Sequence, residues 1–168
     1  MTERSGFACG TCGGSHEGLP TDHGWKLPDD VWEIPESERA EKAHYDADLC
    51  KFGDRYFIRC VLYVPFTQRD GAFGFGVWVE VAEDDFGRYL EIYSEDARKA
   101  PPARGRLANV IPSFEDAAGE ALTIRFGTSS QRPTVLMDAD SHTSLAREQR
   151  AGMDAARYHQ VLHDVGTL

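Results

Sequence analysis

The sequence predicts an α+β fold: a mainly antiparallel sheet of about five strands, helices packed on one side of it, and an N-terminal zinc-knuckle-like loop. Three observations carry this. Two stretches alternate apolar and other residues with period two, later segments repeat apolar residues at helical spacing, and one short motif brings two thiols together near the start.

The strands are the clearest signal. Over residues 56–64 one face reads Tyr56, Ile58, Cys60, Leu62 and Val64, and the other Phe57, Arg59, Val61 and Tyr63. Over residues 73–82 one face reads Phe73, Phe75, Val77, Val79 and Val81, and the other Gly74, Gly76, Trp78, Glu80 and Ala82. The connection between them contains Asp70-Gly71, a pair suited to an antiparallel hairpin. Shorter strands are expected at 107–111, 122–126 and 134–137.

Helices follow from spacing and caps. Residues 36–44 begin after Pro35, carry acids in the first turn, and place Glu38 four residues before Lys42. Asp84 or Asp85 can cap a helix in which Phe86, Tyr89, Leu90 and Tyr93 recur at helical spacing. Pro101-Pro102 interrupts the chain. The C-terminal part reads as a helix capped near Asp140-Ser141, broken at Gly152, and resumed over 153–163. Residues 1–6 read as a tail and 19–30 as an extended loop, pinned to the body by Trp25, Leu27, Val31, Trp32 and Ile34.

The 168 residues are expected to form one domain, with a metal-knuckle and acidic segment over 7–50 and the sheet and C-terminal helices over 54–168. No apolar run reaches the roughly 20 residues of a membrane helix, and the start Met-Thr-Glu-Arg-Ser-Gly lacks a signal-peptide pattern. A cytoplasmic location without membrane contact is therefore expected. The net charge of -10 opposes nucleic-acid binding. Between residues 22 and 48 nine acids face three bases, so this segment is either a solvated acidic face or a patch for a basic protein partner.

Cys9-Gly10-Thr11-Cys12-Gly13-Gly14 is the most specific chemical motif. Two residues between thiolates let both reach one tetrahedral zinc ion at about 2.3 Å. Four cysteines in a chain read as cytoplasmic favour metal or free thiols over disulfides. Cys50, at a turn after the first helix, is the third candidate ligand. His16, four residues after Cys12, ranks ahead of His142 for the fourth place. Cys60 lies on the apolar strand face and reads as a small buried hydrophobe. A redox dithiol is disfavoured, because such pairs open a helix after a strand, whereas glycines follow this one. The glycines of residues 73–78 alternate inside a strand and do not form a phosphate loop. Asp138, Asp140 and His142, with Ser141 and Ser144 nearby, form a helix start rather than a catalytic set.

Taken together, Phe7-x-Cys9-x-x-Cys12-Gly13-x-x-His16-x-x-Leu19-Pro20, then Leu27-Pro28-Asp29, Glu38-Arg39, Asp48-Leu49-Cys50 and Phe57-Ile58-Arg59-x-Val61-Leu62-x-x-Pro65 run in order into Phe73-Gly74-x-Gly76-Val77-Trp78-Val79. The series closes with Arg132-Pro133, His142, Leu145-Ala146, Glu148-Gln149 and Gly152. This resembles the uncharacterised bacterial family known as domain of unknown function 2199. The resemblance implies a small bacterial protein with cysteines at positions 9, 12 and 50 and histidines at 16 and 142, and it assigns no activity. The chain departs from the family pattern at Cys60, where glycine is usual, and at Phe75, where tryptophan is usual.

The expected function is a zinc-stabilised protein-binding domain without catalytic activity. The alternative is a metal-dependent, hydrolase-like enzyme whose zinc keeps an open position. Four protein ligands would mark the first and three ligands plus water the second.

Overall fold

In the computed structural model the backbone is described for residues 7–8, 15–16 and 19–167, and the side chains for 19–167. In chain order come β1 (Phe7–Ala8), β2 (Ser15–His16), β3 (Asp22–Gly24), α1 (Asp29–Trp32), α2 (Glu36–Lys42), β4 (Ala43–Tyr45), β5 (Leu49–Phe52), β6 (Arg55–Pro65) and β7 (Ala72–Val81). Then follow α3 (Glu83–Ile92), β8 (Ala103–Leu107), a short 3-10 turn (Glu115–Ala117), β9 (Ala121–Arg125), β10 (Thr134–Met137), α4 (Ser144–Ala151) and α5 (Ala155–Asp164).

The long hairpin forms as its alternation predicts. β6 and β7 pair antiparallel in one unbroken register from Tyr56↔Val81 to Pro65↔Ala72. Ile58, Cys60, Leu62 and Val64 with Phe73, Phe75, Val77 and Val79 are wholly buried on one side. The Cys60 thiol is fully buried, with Sγ 3.6 Å from the Ile58 carbonyl oxygen.

The sheet is not the open, mainly antiparallel one expected. β6, β7, β8, β9 and β10 form an up-and-down series, each antiparallel to the next. Five strands in such a series bring the last to the same direction as the first. β10 accordingly closes the ring by pairing parallel with β6, at Thr134↔Val61 and Val135↔Leu62. The result is a closed five-stranded mixed barrel. Outside it β5 and β4 extend from the first half of β6, and β3 lies parallel along β7. Gly105 permits the β7–β8 closure, because a Cβ there would meet Val79 Cγ1 at 2.4 Å and the Glu80 carbonyl oxygen at 2.7 Å.

The helices are not on one side either. α3 covers the end where β6 begins, with Phe86 5.1 Å from the Tyr56 ring. α5 covers the hairpin end, where Tyr158 meets Phe66 and Phe73 at 5.1 and 5.8 Å. α1 instead lies over the outer face, in a second cluster of Leu27, Val31, Ala43, Cys50, Phe57 and Trp78. Buried Asn109 ties this layer to the barrel, donating to the Leu27 carbonyl and Asp29 while its own oxygen accepts from Trp78 N–H. Trp32, expected to pin the loop, is 55% exposed and carries the Arg39 guanidinium over its ring at 4.8 Å.

Caps also shifted. α3 starts behind Ala82, with Asp84 and Asp85 in its first turn, and Thr143 rather than Asp140-Ser141 caps α4 through Ala146 N–H. Gly152 breaks the C-terminal helix as expected, at φ 91°. β1 and β2 pair antiparallel, at Phe7↔His16 and Ala8↔Ser15. The expected zinc knuckle is not shown: Cys9, Cys12 and the His16 side chain lie outside the described residues. Among the described residues no helix is long and apolar enough to cross a membrane.

Candidate functional site

The chemistry-bearing residues gather where β6 exchanges one neighbour for another. Its first half, residues 55–58, pairs with β5, and residues 61–62 pair with β10. At the changeover Arg59 N–H donates to the Asp48 carbonyl and Val61 N–H to the Pro133 carbonyl, both at 2.9 Å. The two neighbours diverge from this point, and the fork between them opens a cleft of about 660 Å³. Tyr63, Tyr89, Tyr93, Asp48, Arg125 and Arg132 line it, with the hydroxyl-rich loop 127–133 as one wall.

A carboxylate spans the fork. Asp48 accepts from Tyr93 Oη at 2.7 Å and from Arg132 Nε at 2.9 Å. Burial pushes its carboxyl upward, but those hydrogen bonds and the Arg132 and Arg59 charges outweigh it and hold the group below the usual range. The same bond to Asp48 raises the Tyr93 phenol. Tyr89 is buried behind the cleft, stacked on Phe126 at 5.5 Å, and its hydroxyl is pushed up chiefly by burial.

On the adjoining outer face the strand glycines are explained. A Cβ on Gly74 would press the Tyr63 ring at 3.2 Å, and one on Gly76 would press Arg59 Nη2 at 3.0 Å and Gly24 Cα at 3.2 Å. Gly74 thus admits the Tyr63 ring and Gly76 the Arg59 guanidinium, which also lies 5.8 Å from the Trp78 ring. Burial and the Arg132 charge lower its pKa, and Asp48 opposes them.

The predicted metal residues are not brought together among the described residues. Cys50 is wholly buried in the outer apolar cluster, and burial, with Asp46 nearby, pushes its thiol up to about 11. His142 is exposed ahead of α4. Cys50 is registered to Phe57, whereas α4 docks through Gln149 onto the Tyr63 carbonyl, about 20 Å further along β6. Among the described residues no group of three His, Cys, Asp or Glu side chains could hold a metal. Asp138 is held by Arg104 at 2.6 and 2.8 Å, and Ser144 by Asp116 at 2.6 Å, so no triad forms with His142.

Arg59, Asp48, Tyr93 and Arg132 were not singled out by sequence reasoning. The available signal was Arg59 itself, a cation in mid-strand opposite a strand whose outward residues include two glycines.

The family pattern of domain of unknown function 2199, described as an uncharacterised protein conserved in bacteria, matches residues 8–153. The chain belongs to this family. The match includes the whole barrel and the residues of the fork, so the cleft lies inside the part that is the family's own. No curated protein and no solved structure matches the chain.

Proposed function

We propose that the chain is a binding domain for a segment of a partner protein, which lies in the cleft at the β5/β10 fork. The observation that carries this reading is the lining. Tyr63 and Tyr93, 49% and 43% exposed, face a cleft that also presents arginine. Tyrosine and arginine dominate the energetics of protein recognition, and a volume near 660 Å³ falls within the range of ligand sites. The test places a photoreactive residue at position 63 or 93, with positions 110 and 136 as exposed apolar controls, in cells. One shared adduct at 63 and 93, absent at the controls and weakened by Arg132→Ala, is expected. No adduct, or the same adducts at all four positions, would reject the cleft.

Zinc enters the proposal through Cys9, Cys12 and His16, with Cys50 as the fourth donor. What supports it is the thiol spacing and the soft-ligand preference of zinc. A thiol raised to about 11 can ligate at neutral pH only where a cation stabilises the thiolate, which makes Cys50 the sharpest check. Mass spectrometry of protein purified without added metal should find one zinc per chain, lost in Cys12→Ser and in Cys50→Ser. Retention in Cys50→Ser would return that residue to the apolar core.

A further inference from the structure

Arg55 and Arg59 stand on the same face of β6, four residues apart, and are treated differently. Arg55 is paired twice, with Glu80 at 2.7 Å and with Asp30 at 2.8 Å. Arg132, across the fork, is paired with Asp48 at 2.9 Å. Arg59 makes no side-chain hydrogen bond and no ion pair to any described residue, and its Nε is buried without an acceptor. A half-buried cation held this way is costly unless something compensates it.

The position is nevertheless built. Room for the guanidinium is cleared on two strands. A Cβ on Gly24 of β3 would fall 2.5 Å from Nη2, and one on Gly76 of β7 3.0 Å from the same atom. Trp78 supplies an aromatic surface at 5.8 Å, itself fixed by its Nε1–H bond to the Trp25 carbonyl at 3.0 Å. Nε is buried without an acceptor, while the residue as a whole is only half-buried. A guanidinium can offer parallel donors to two oxygens of a carboxylate or phosphate. Asp48 neutralises one of the two neighbouring guanidinium charges, and among the described residues one positive charge is left over, on a protein whose net charge is -10.

We infer that Arg59 is the receptor for an oxyanion, a carboxylate or a phosphate, on the outer face of the hairpin beside the fork, where its guanidinium leans over β7 toward β3 rather than lining the cleft. This deepens the reading of the adjoining cleft as a binding site: a ligand segment that spans both presents its oxyanion here. Glycine at 24 and 76 is then required by the site, since any side chain there would displace the guanidinium. Trp78, under the cation, is a positioning residue.

The test uses the full chain labelled with 15N, in which Arg59 Nε–H and Trp78 Nε1–H give their own resonances. Sodium phosphate and sodium acetate are titrated separately, with chloride holding ionic strength constant. Both resonances should move saturably with at least one anion, and the tighter of the two identifies phosphate or carboxylate. Arg59→Gln should weaken binding at least tenfold. Gly24→Ala should do the same while keeping the charge, since its methyl meets only the flexible end of Arg59 at close range, and its amide spectrum should remain that of the folded barrel. Shifts that are linear in anion concentration, or equal in wild type and Gly24→Ala, would overturn the inference. Specific adducts at positions 63 and 93 without any anion response would leave the cleft standing and reject the Arg59 receptor. An anion response without adducts would do the reverse.

Discussion

The two sides of the β6–β7 hairpin are made by alternate residues of the same two strands and obey different rules. Inward, Ile58, Leu62, Phe73, Phe75 and Val77 are fully buried, and every position is apolar. Outward, the strands carry Arg59, Tyr63, Gly74, Gly76 and Trp78, and the space is shared among a cation, aromatic rings and missing side chains. The inner side is close-packed and punishes a change of volume. The outer side is packed only in part: Phe57 and Trp78 are wholly buried in its own apolar cluster, whereas Arg59 and Tyr63 remain partly exposed. The inner side bears on stability alone, and the outer side also carries the proposed recognition.

Phe75→Ala should break the inner side most, at about 3–5 kcal/mol by urea unfolding, since a fully buried ring would leave a cavity. Gly105→Ala should cost about 1–3 kcal/mol, because its methyl collides with the Glu80 backbone as well as with Val79. Asp48→Asn should change stability at neutral pH by less than about 1 kcal/mol, as expected of a partly exposed pair. Its effect is on pH dependence. The Asp48 carboxyl is held below its usual value in the folded state, so it contributes stability above the ordinary carboxylate pKa of about 3.9 and loses it as pH falls further. Acid unfolding of Asp48→Asn should be correspondingly flatter, and an unchanged acid profile would show that the Tyr93 and Arg132 contacts are incidental. Gly24→Ala is the smallest, within about 0.5 kcal/mol of wild type, because the atom in its way is the flexible end of Arg59. The same added methyl is thus expected to harm stability at Gly105 and binding at Gly24.

The inner side was legible in the sequence, and the reason is physical. Period-two alternation reports which face is dry, so the hairpin, its turn at Asp70-Gly71 and the burial of Cys60 could all be read directly. Closure could not. Alternation is silent about which strand lies beside which, and β10 shows the same pattern whether it ends a sheet or returns to Val61 and Leu62. Trp32 departs from the expectation because an apolar ring need not be buried: one face is covered by the Arg39 guanidinium and the rest stays exposed. The fork escaped for a third reason. Asp48, Tyr93 and Arg132 are separated by 45 and 84 residues from Asp48 onward and meet only through the changeover in β6 pairing. The resemblance to the family was legible, and it marked Arg59, Asp48 and Arg132 within its motifs without saying what they do.

The most direct measurement of the central claim is a crystal structure of the full chain grown in phosphate. A bound oxyanion within hydrogen-bond distance of the Arg59 guanidinium, beside the fork and clear of lattice neighbours, is the predicted result. Arg59 paired instead with a carboxylate from residues 1–18, such as Glu3 or Glu17, would contradict it and make the outer face a seat for the chain's own N-terminus.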